Sequence, residues 1–218
     1  MPPRLQVEIE NLKKQILSLG AMVEEQVNKA IRALETKDVE IAKDVIKIDK
    51  KVDEYEVEVE EECLKILALH QPVAVDLRFI TAVIKINNDL ERIGDEAVNI
   101  AERVIFLGTR PPLVASFDYK EMSEKTIKML NESLDALVNL DIDLAYKVRL
   151  DDDVIDGLDR GFFEKIKQII PDNSERVGSL IQLFLISRHL ERIADHATNI
   201  AEEVIYLIEG VIQRHKKQ

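Results

Sequence analysis

The sequence is poor in everything that interrupts a helix. Its 218 residues include six prolines, seven glycines and no tryptophan. Proline removes a backbone donor and clashes with the preceding turn, and glycine costs backbone entropy, so their scarcity leaves long stretches free to continue as helix. Pro2, Pro3, Pro72, Pro111, Pro112 and Pro171 mark joints. A single cysteine, Cys63, excludes an intramolecular disulfide and fits a reducing compartment. No apolar run approaches the roughly 18 residues of a membrane span, and the start, MPPRLQVEIE, lacks the apolar segment of a signal peptide. The expected location is therefore cytoplasmic, without direct membrane insertion. Positive charge is also short. Thirty Lys and Arg against 42 Asp and Glu give a net charge of -12, which argues against nucleic acid as the main partner. The basic tail from Arg214 to Lys217 does not reverse this balance.

What the chain does contain, it contains twice. Asp89 to Leu107 reads DLERIGDEAVNIAERVIFL and His189 to Leu207 reads HLERIADHATNIAEEVIYL, identical at 13 of 19 positions. A repeat of this kind fixes architecture before any local reading does. The shared acids are Glu91/Glu191, Asp95/Asp195 and Glu102/Glu202. A weaker match aligns Asp38-Val39-Glu40-Ile41-Ala42 with Asp141-Ile142-Asp143-Leu144-Ala145; continued in register, it aligns Asp49 with Asp152, Asp53 with Asp156 and Glu56 with Asp159.

Apolar residues recur at helical spacing. Val45, Ile48, Val52, Tyr55, Val59, Ile66 and Leu69 follow an alternating three-and-four rhythm, broken at Glu62, as in a bundle helix. The pattern predicts six helices, over 4–35, 39–69, 74–108, 119–138, 142–170 and 174–213. TRPPLVASFD, 109–118, divides the chain, with Gly108 placed to cap the helix before it. The expected fold is all-α: two tandem homologous three-helix bundles, 1–108 and 119–218, joined by a linker at 109–118. Asp172, Asn173 or Ser174 is expected to cap the last helix.

Glu91, Asp95 and Glu102 fall within about 40° of one another on a helical wheel, beside the core stripe. Asp49, Asp53, Glu56 and Glu60 form a second acidic column, also at the core edge. In an antiparallel helical hairpin, residues equally far from the turn lie level. Asp53 and Glu91 are each 19 residues from Pro72, and Asp49 and Asp95 are each 23. In the second half Asp156 is level with Glu191 and Asp152 with Asp195, about a turn centred on Asn173 and Ser174. Four carboxylates at one level repel unless a cation lies between them, and multidentate oxygen ligation suits a hard or intermediate ion. Iron, manganese or magnesium is expected, with Asn99 and Asn199 as added amide oxygens or orienting groups. Zinc is disfavoured because neither histidine nor cysteine repeats there.

The competing reading is a solvated face with ordinary salt bridges, such as Arg92 with Glu96 and Lys50 with Glu54. His189 and His196 replace Asp89 and Glu96 on the arginine-bearing side of the repeat and are expected at the surface. Cys63 is expected to pack rather than react. Gly94 and Ala194 are expected to allow close helix approach.

The runs LERIGD and LERIAD, with LALHQPVAVDLRFI before the first, resemble the PhoU family of bacterial regulators of phosphate uptake. The resemblance covers nearly the whole chain and includes both copies of that family's Glu/Asp-x-x-x-Asp motif, at Glu91/Asp95 and Glu191/Asp195, with partner acids Asp49, Asp53, Asp152 and Asp156. Ala194 stands where glycine is common. The resemblance implies a cytoplasmic homodimer, not an enzyme, that represses phosphate-starvation signalling. It also implies contact with a phosphate ABC transporter ATPase and a sensor histidine kinase, and bound metal. A di-iron carboxylate oxidase is the alternative from another class, but its Glu-x-x-His signature is missing: Leu67, Ile186, Ile193 and Ile212 stand three residues before the four histidines. A metal-free helical adaptor is the third reading.

Overall fold

The computed structural model describes residues 3–111 and 117–212. Among these the chain forms α1 (Pro3–Thr36), α2 (Val39–His70), α3 (Ala74–Gly108), α4 (Lys120–Asn139), α5 (Ile142–Ile169) and α6 (Val177–Glu209), with a 3-10 segment at Ile170–Arg176. No strand occurs among the described residues. The break at Pro112 and the basic tail with His215 lie outside them.

The first turn of each half has one construction. Lys37 (φ 54) and Leu140 (φ 50) reverse the chain in the left-handed region. Asp38 and Asp141 then cap the next helix: Asp38 Oδ1 accepts from the amides of Glu40 and Ile41 at 2.8 and 3.2 Å, and Asp141 Oδ1 from Leu144 at 3.0 Å. These oxygens satisfy amides that a helix start leaves without partners.

Two expected caps and one expected helix end differ from the structure. None of Asp172, Asn173 and Ser174 caps α6, which starts after Arg176 without a side-chain cap. The chain instead tightens from α5 into the 3-10 segment, where Asn173 leaves helical geometry (φ -134, ψ 38) and donates backwards to Ile169 O at 3.1 Å. Its amide thus serves the end of the earlier helix. Gly108 is the last residue of α3, and Thr109 closes that helix, its hydroxyl donating to Phe106 O at 2.8 Å. At the end of α6, Gly210 (φ 73) takes the left-handed cap and stops the helix at Glu209, short of 213.

The helices of each half pack on one another, and α3 also packs on α6 and α1 on α4. One continuous apolar core results, running from Leu12 and Ile16 through Ile86 and Ile93 to Ile193 and Ile200.

The α3–α6 seam is antiparallel and carries polar pairs. His189 Nδ1 lies 2.6 Å from Glu96 Oε2, and His196 Nδ1 lies 2.8 Å from Asp89 Oδ1. Arg192 reaches Glu96 Oε1 at 2.9 Å and Lys85 reaches both oxygens of Glu203 at 3.0 Å. His189 is only 8% exposed and His196 is half-buried, so the expected surface placement of both is corrected. On an isolated helix their side faces water; in the fold it faces the other half. Burial would raise the Glu96 carboxyl, but His189 and then Arg192 outweigh it and hold the group below its ordinary value.

Removing one partner from a buried pair leaves an uncompensated group and costs about 3–5 kcal/mol. We predict that His189→Asp, which installs the first-half residue against Glu96, lowers Tm by roughly 10 °C and by more than His189→Ala does. Thermal denaturation followed by circular dichroism checks it; equal melting of the two variants would show that charge at this pair does not hold the seam.

Candidate metal centres

On its other side, α3 carries Glu91 and Asp95 towards α2, and α6 carries Glu191 and Asp195 towards α5. The structure brings together every pair expected to be level. Asp49 feels the charge of Asp95, Glu91 that of Asp53, Glu191 that of Asp156, and Asp195 that of Asp152.

Burial is the largest influence on each shifted carboxyl here, and neighbouring acids add to it. It raises Asp49 above its ordinary value, with Asp53 and Asp95 adding to the rise and Gln26 opposing it. It raises Glu91 likewise, with Asp95 adding and Arg92 opposing. Asp152 is pushed up to about 6 by burial and then by Asp156, offset in part by the Thr198 hydroxyl. Asp195 also reaches about 6, through burial and then Asp152 and Asp156. Both clusters are short of positive charge.

The equivalent atoms Glu91 Oε2 and Glu191 Oε2 are buried without a hydrogen bond. Arg92 Nε stands 3.3 Å from Glu91 Oε2, near enough to attract but not aligned to donate. Buried carboxylate oxygens without donors suit a hard cation, so the residues present fit such an ion. As the side chains stand, no three described His, Cys, Asp or Glu residues converge to hold a metal. Arginines draw the acids outward instead: Arg92 binds Asp95 at 3.0 Å and Arg160 lies 3.7 Å from Asp156.

Asn99 and Asn199 are placed differently from their carboxylate neighbours. Asn99 Nδ2 donates to Glu96 at 3.4 Å and Asn199 Nδ2 to Asp89 at 3.1 Å, so both amides serve the α3–α6 seam. The third repeated acid is outside the clusters, with Glu102 exposed and Glu202 beside Arg149 at 3.4 Å.

Several residues at the site escaped the sequence reading. Gln26 of α1 is fully buried, and its Nε2 donates to Asp49 Oδ1 at 2.8 Å. Asn87 Nδ2 donates to Glu56 Oε1 at 2.8 Å; in the second half Ser187 Oγ donates to Asp159 at 2.8 Å. Arg188 reaches Asp159 and Glu191, each at 2.9 Å. A signal for Gln26 was present: Leu12, Ile16, Leu19, Val23, Gln26, Ala30 and Ala33 keep a three-and-four rhythm, and Gln26 is its only polar member. Asn87 and Ser187 interrupt the apolar stripes of α3 and α6 in the same way.

Elsewhere the structure offers little chemistry. A groove of about 440 Å³ between α1, α3, α4 and α6 is lined mainly by apolar side chains, Phe79, Leu137 and Leu207 among them. Cys63 is buried and its thiol pushed up to about 12, which keeps it protonated at neutral pH. No helix among the described residues is long and apolar enough to cross a membrane.

Residues 16–104 and 119–204 each match the PhoU domain. The chain belongs to the PhoU family. It is 41% identical over 209 residues to the phosphate-specific transport system accessory protein PhoU homolog of Aquifex aeolicus, covering 96% of this chain and 95% of that one. It is 35% identical over 210 residues to PhoU of Serratia marcescens, covering 95% and 86%. Among solved structures, PhoU from Pseudomonas aeruginosa superposes with a TM-score of 0.91 at 36% identity, covering 94% of this chain and 99% of that one. The phosphate transport system regulatory protein PhoU from Streptococcus pneumoniae superposes at 0.88 and 31% identity, covering 95% and 98%. The Aquifex aeolicus and Serratia marcescens relatives are named as accessory proteins and the Streptococcus pneumoniae one as a regulatory protein.

The raised carboxyls set a pH dependence. Unfolded aspartate titrates near 3.8, whereas folded Asp152 and Asp195 hold their protons to about 6. Between those values the folded state binds more protons, so stability is greatest below the window and falls as pH rises through it. We predict that metal-free protein melts higher at pH 5 than at pH 7, and that Asp195→Asn raises Tm at pH 7 by about 2–4 °C, allowing for solvent screening at this partly open site. Melting curves across pH in chelator check this; an unchanged or lower Tm for the variant at pH 7 would contradict it.

Proposed function

We propose that this PhoU family member is a cytoplasmic regulator of phosphate uptake and a negative regulator of phosphate-starvation signalling. It acts by contact rather than turnover. Family membership over both repeats carries this reading, because the relatives are named as accessory proteins of phosphate-specific transport. The partners proposed are the transporter's ATPase, a sensor histidine kinase and a second copy of the chain.

Metal binding is the second element of the proposal. Asp49, Asp53, Glu91 and Asp95 would hold an ion in the first half, and Asp152, Asp156, Glu191 and Asp195 in the second. Asn99 and Asn199 would reach such ions only by leaving their seam hydrogen bonds. Iron, manganese or magnesium suits the oxygen donors. Bound there, the ion supplies the positive charge that the buried carboxyls are short of. The residues themselves would draw α2 towards α3 and α5 towards α6, stiffening the faces offered to protein partners.

A metal-free adaptor is favoured by one observation, the splayed side chains that form no ready-made cage. Elemental analysis of protein purified without chelator or affinity tag separates the readings. We expect bound metal in the native protein and its loss in an Asp95→Asn, Asp195→Asn double variant; unchanged metal stoichiometry there would remove the site assignment. A deletion strain should lose normal phosphate-starvation gene control, and intact control would count against the regulatory role.

A further inference from the structure

The two acidic clusters occupy equivalent places in the repeat, yet different residues stand behind them. In the first, Gln26 is fully buried. Its amide nitrogen is committed to Asp49, which leaves Oε1 buried beside Gly94 with no donor. A methyl group on Gly94 would come within 3.0 Å of that oxygen and 3.5 Å of Asp49 Oδ1. Gly94 lies between Glu91 and Asp95, so the oxygen sits at the back of the carboxylate group. The glycine leaves the room it needs.

The second half lacks this arrangement. Where α1 has Gln26, α4 in repeat register has Met129, buried and without a hard oxygen. Where α3 has Gly94, α6 has Ala194. The small residue and the amide have changed together. Each cluster has a partly exposed arginine at its rim, Arg92 on Glu91 and Asp95 in the first and Arg188 on Asp159 and Glu191 in the second, so the buried amide is what distinguishes them.

We propose that the two centres are unequal cation sites: the first takes a hard divalent ion with the Gln26 amide oxygen as a neutral ligand, and the second binds the same ion more weakly. This rests on the metal-binding reading above. A buried acceptor without a donor costs stability, so a fold that keeps one beside Asp49 and Gly94 gains from an ion that satisfies it. A neutral oxygen adds coordination without adding repulsion. The second centre offers no such neutral oxygen, for Met129 stands in its place.

Titration with Mn²⁺ by calorimetry, on full-length chains in which one centre is disabled, reads each site alone. With Asp195→Asn in place only the first remains, and with Asp95→Asn only the second. The first site is expected to bind at least tenfold more tightly. Gln26→Met in the first-site background should weaken binding by about 10–100-fold, and Gly94→Ala should weaken it by less. Met129→Gln with Ala194→Gly should strengthen the second site. Melting of metal-free Gln26→Met tests a merely structural role: a lowered Tm with unchanged Mn²⁺ affinity overturns the proposal. Equal affinities at the two sites, or a first site indifferent to Gln26→Met, also overturn it while leaving metal binding intact. Absence of Mn²⁺ binding at both wild-type sites overturns it together with the metal-binding reading.

Discussion

The antiparallel contact between α3 and α6 is the constraint on which the rest depends. Each of these helices has two occupied faces. One meets its counterpart from the other half through Glu96 with His189 and Asp89 with His196. The other turns Glu91 and Asp95, or Glu191 and Asp195, towards the neighbouring hairpin helix. Rotating either helix to improve one face would misplace the other. The polar pairs are few, and burial of apolar surface supplies most of the cohesion. Their value is orientational: a buried polar pair fixes which residues face one another more than it adds to stability.

The acidic clusters show the opposite balance. Burial and mutual repulsion raise their shifted carboxyls, and the available arginines pull the side chains outward instead of filling the space between them. Asp152 and Asp195, both at about 6, hold protons that ordinary aspartates would release. Clusters of this kind lose some stability near neutral pH, because carboxylates buried beside one another must ionise there.

Much of this was legible because the chain compares itself with itself. The repeat, the sparse proline and the three-and-four rhythm gave six helices, and counting from Pro72 put Asp53 level with Glu91 and Asp49 with Asp95. Two things were not legible. His189 and His196 could not be placed by a single-helix wheel, since the surface that covers them belongs to the other half and is reached only through tertiary packing. The α5–α6 turn was misjudged at its cap because the 3-10 segment extends the earlier helix, and Asn173, a good cap by type, bonds backwards. Gln26 falls between these cases: its place in an apolar stripe was visible, but its tie to Asp49 required a third helix to be docked.

The crossed pairing on the seam also bears on how such a chain can change over generations. Two tandem copies of nearly the same segment invite recombination that would exchange or reset the halves. In this chain the positions that meet across the seam have diverged in opposite directions, acids at 89 and 96 against imidazoles at 189 and 196. A product carrying the first segment twice would set carboxylates against carboxylates, and one carrying the second twice would set imidazoles against imidazoles. Complementary divergence at two positions thus acts as a ratchet, converting a duplication into two segments that need each other.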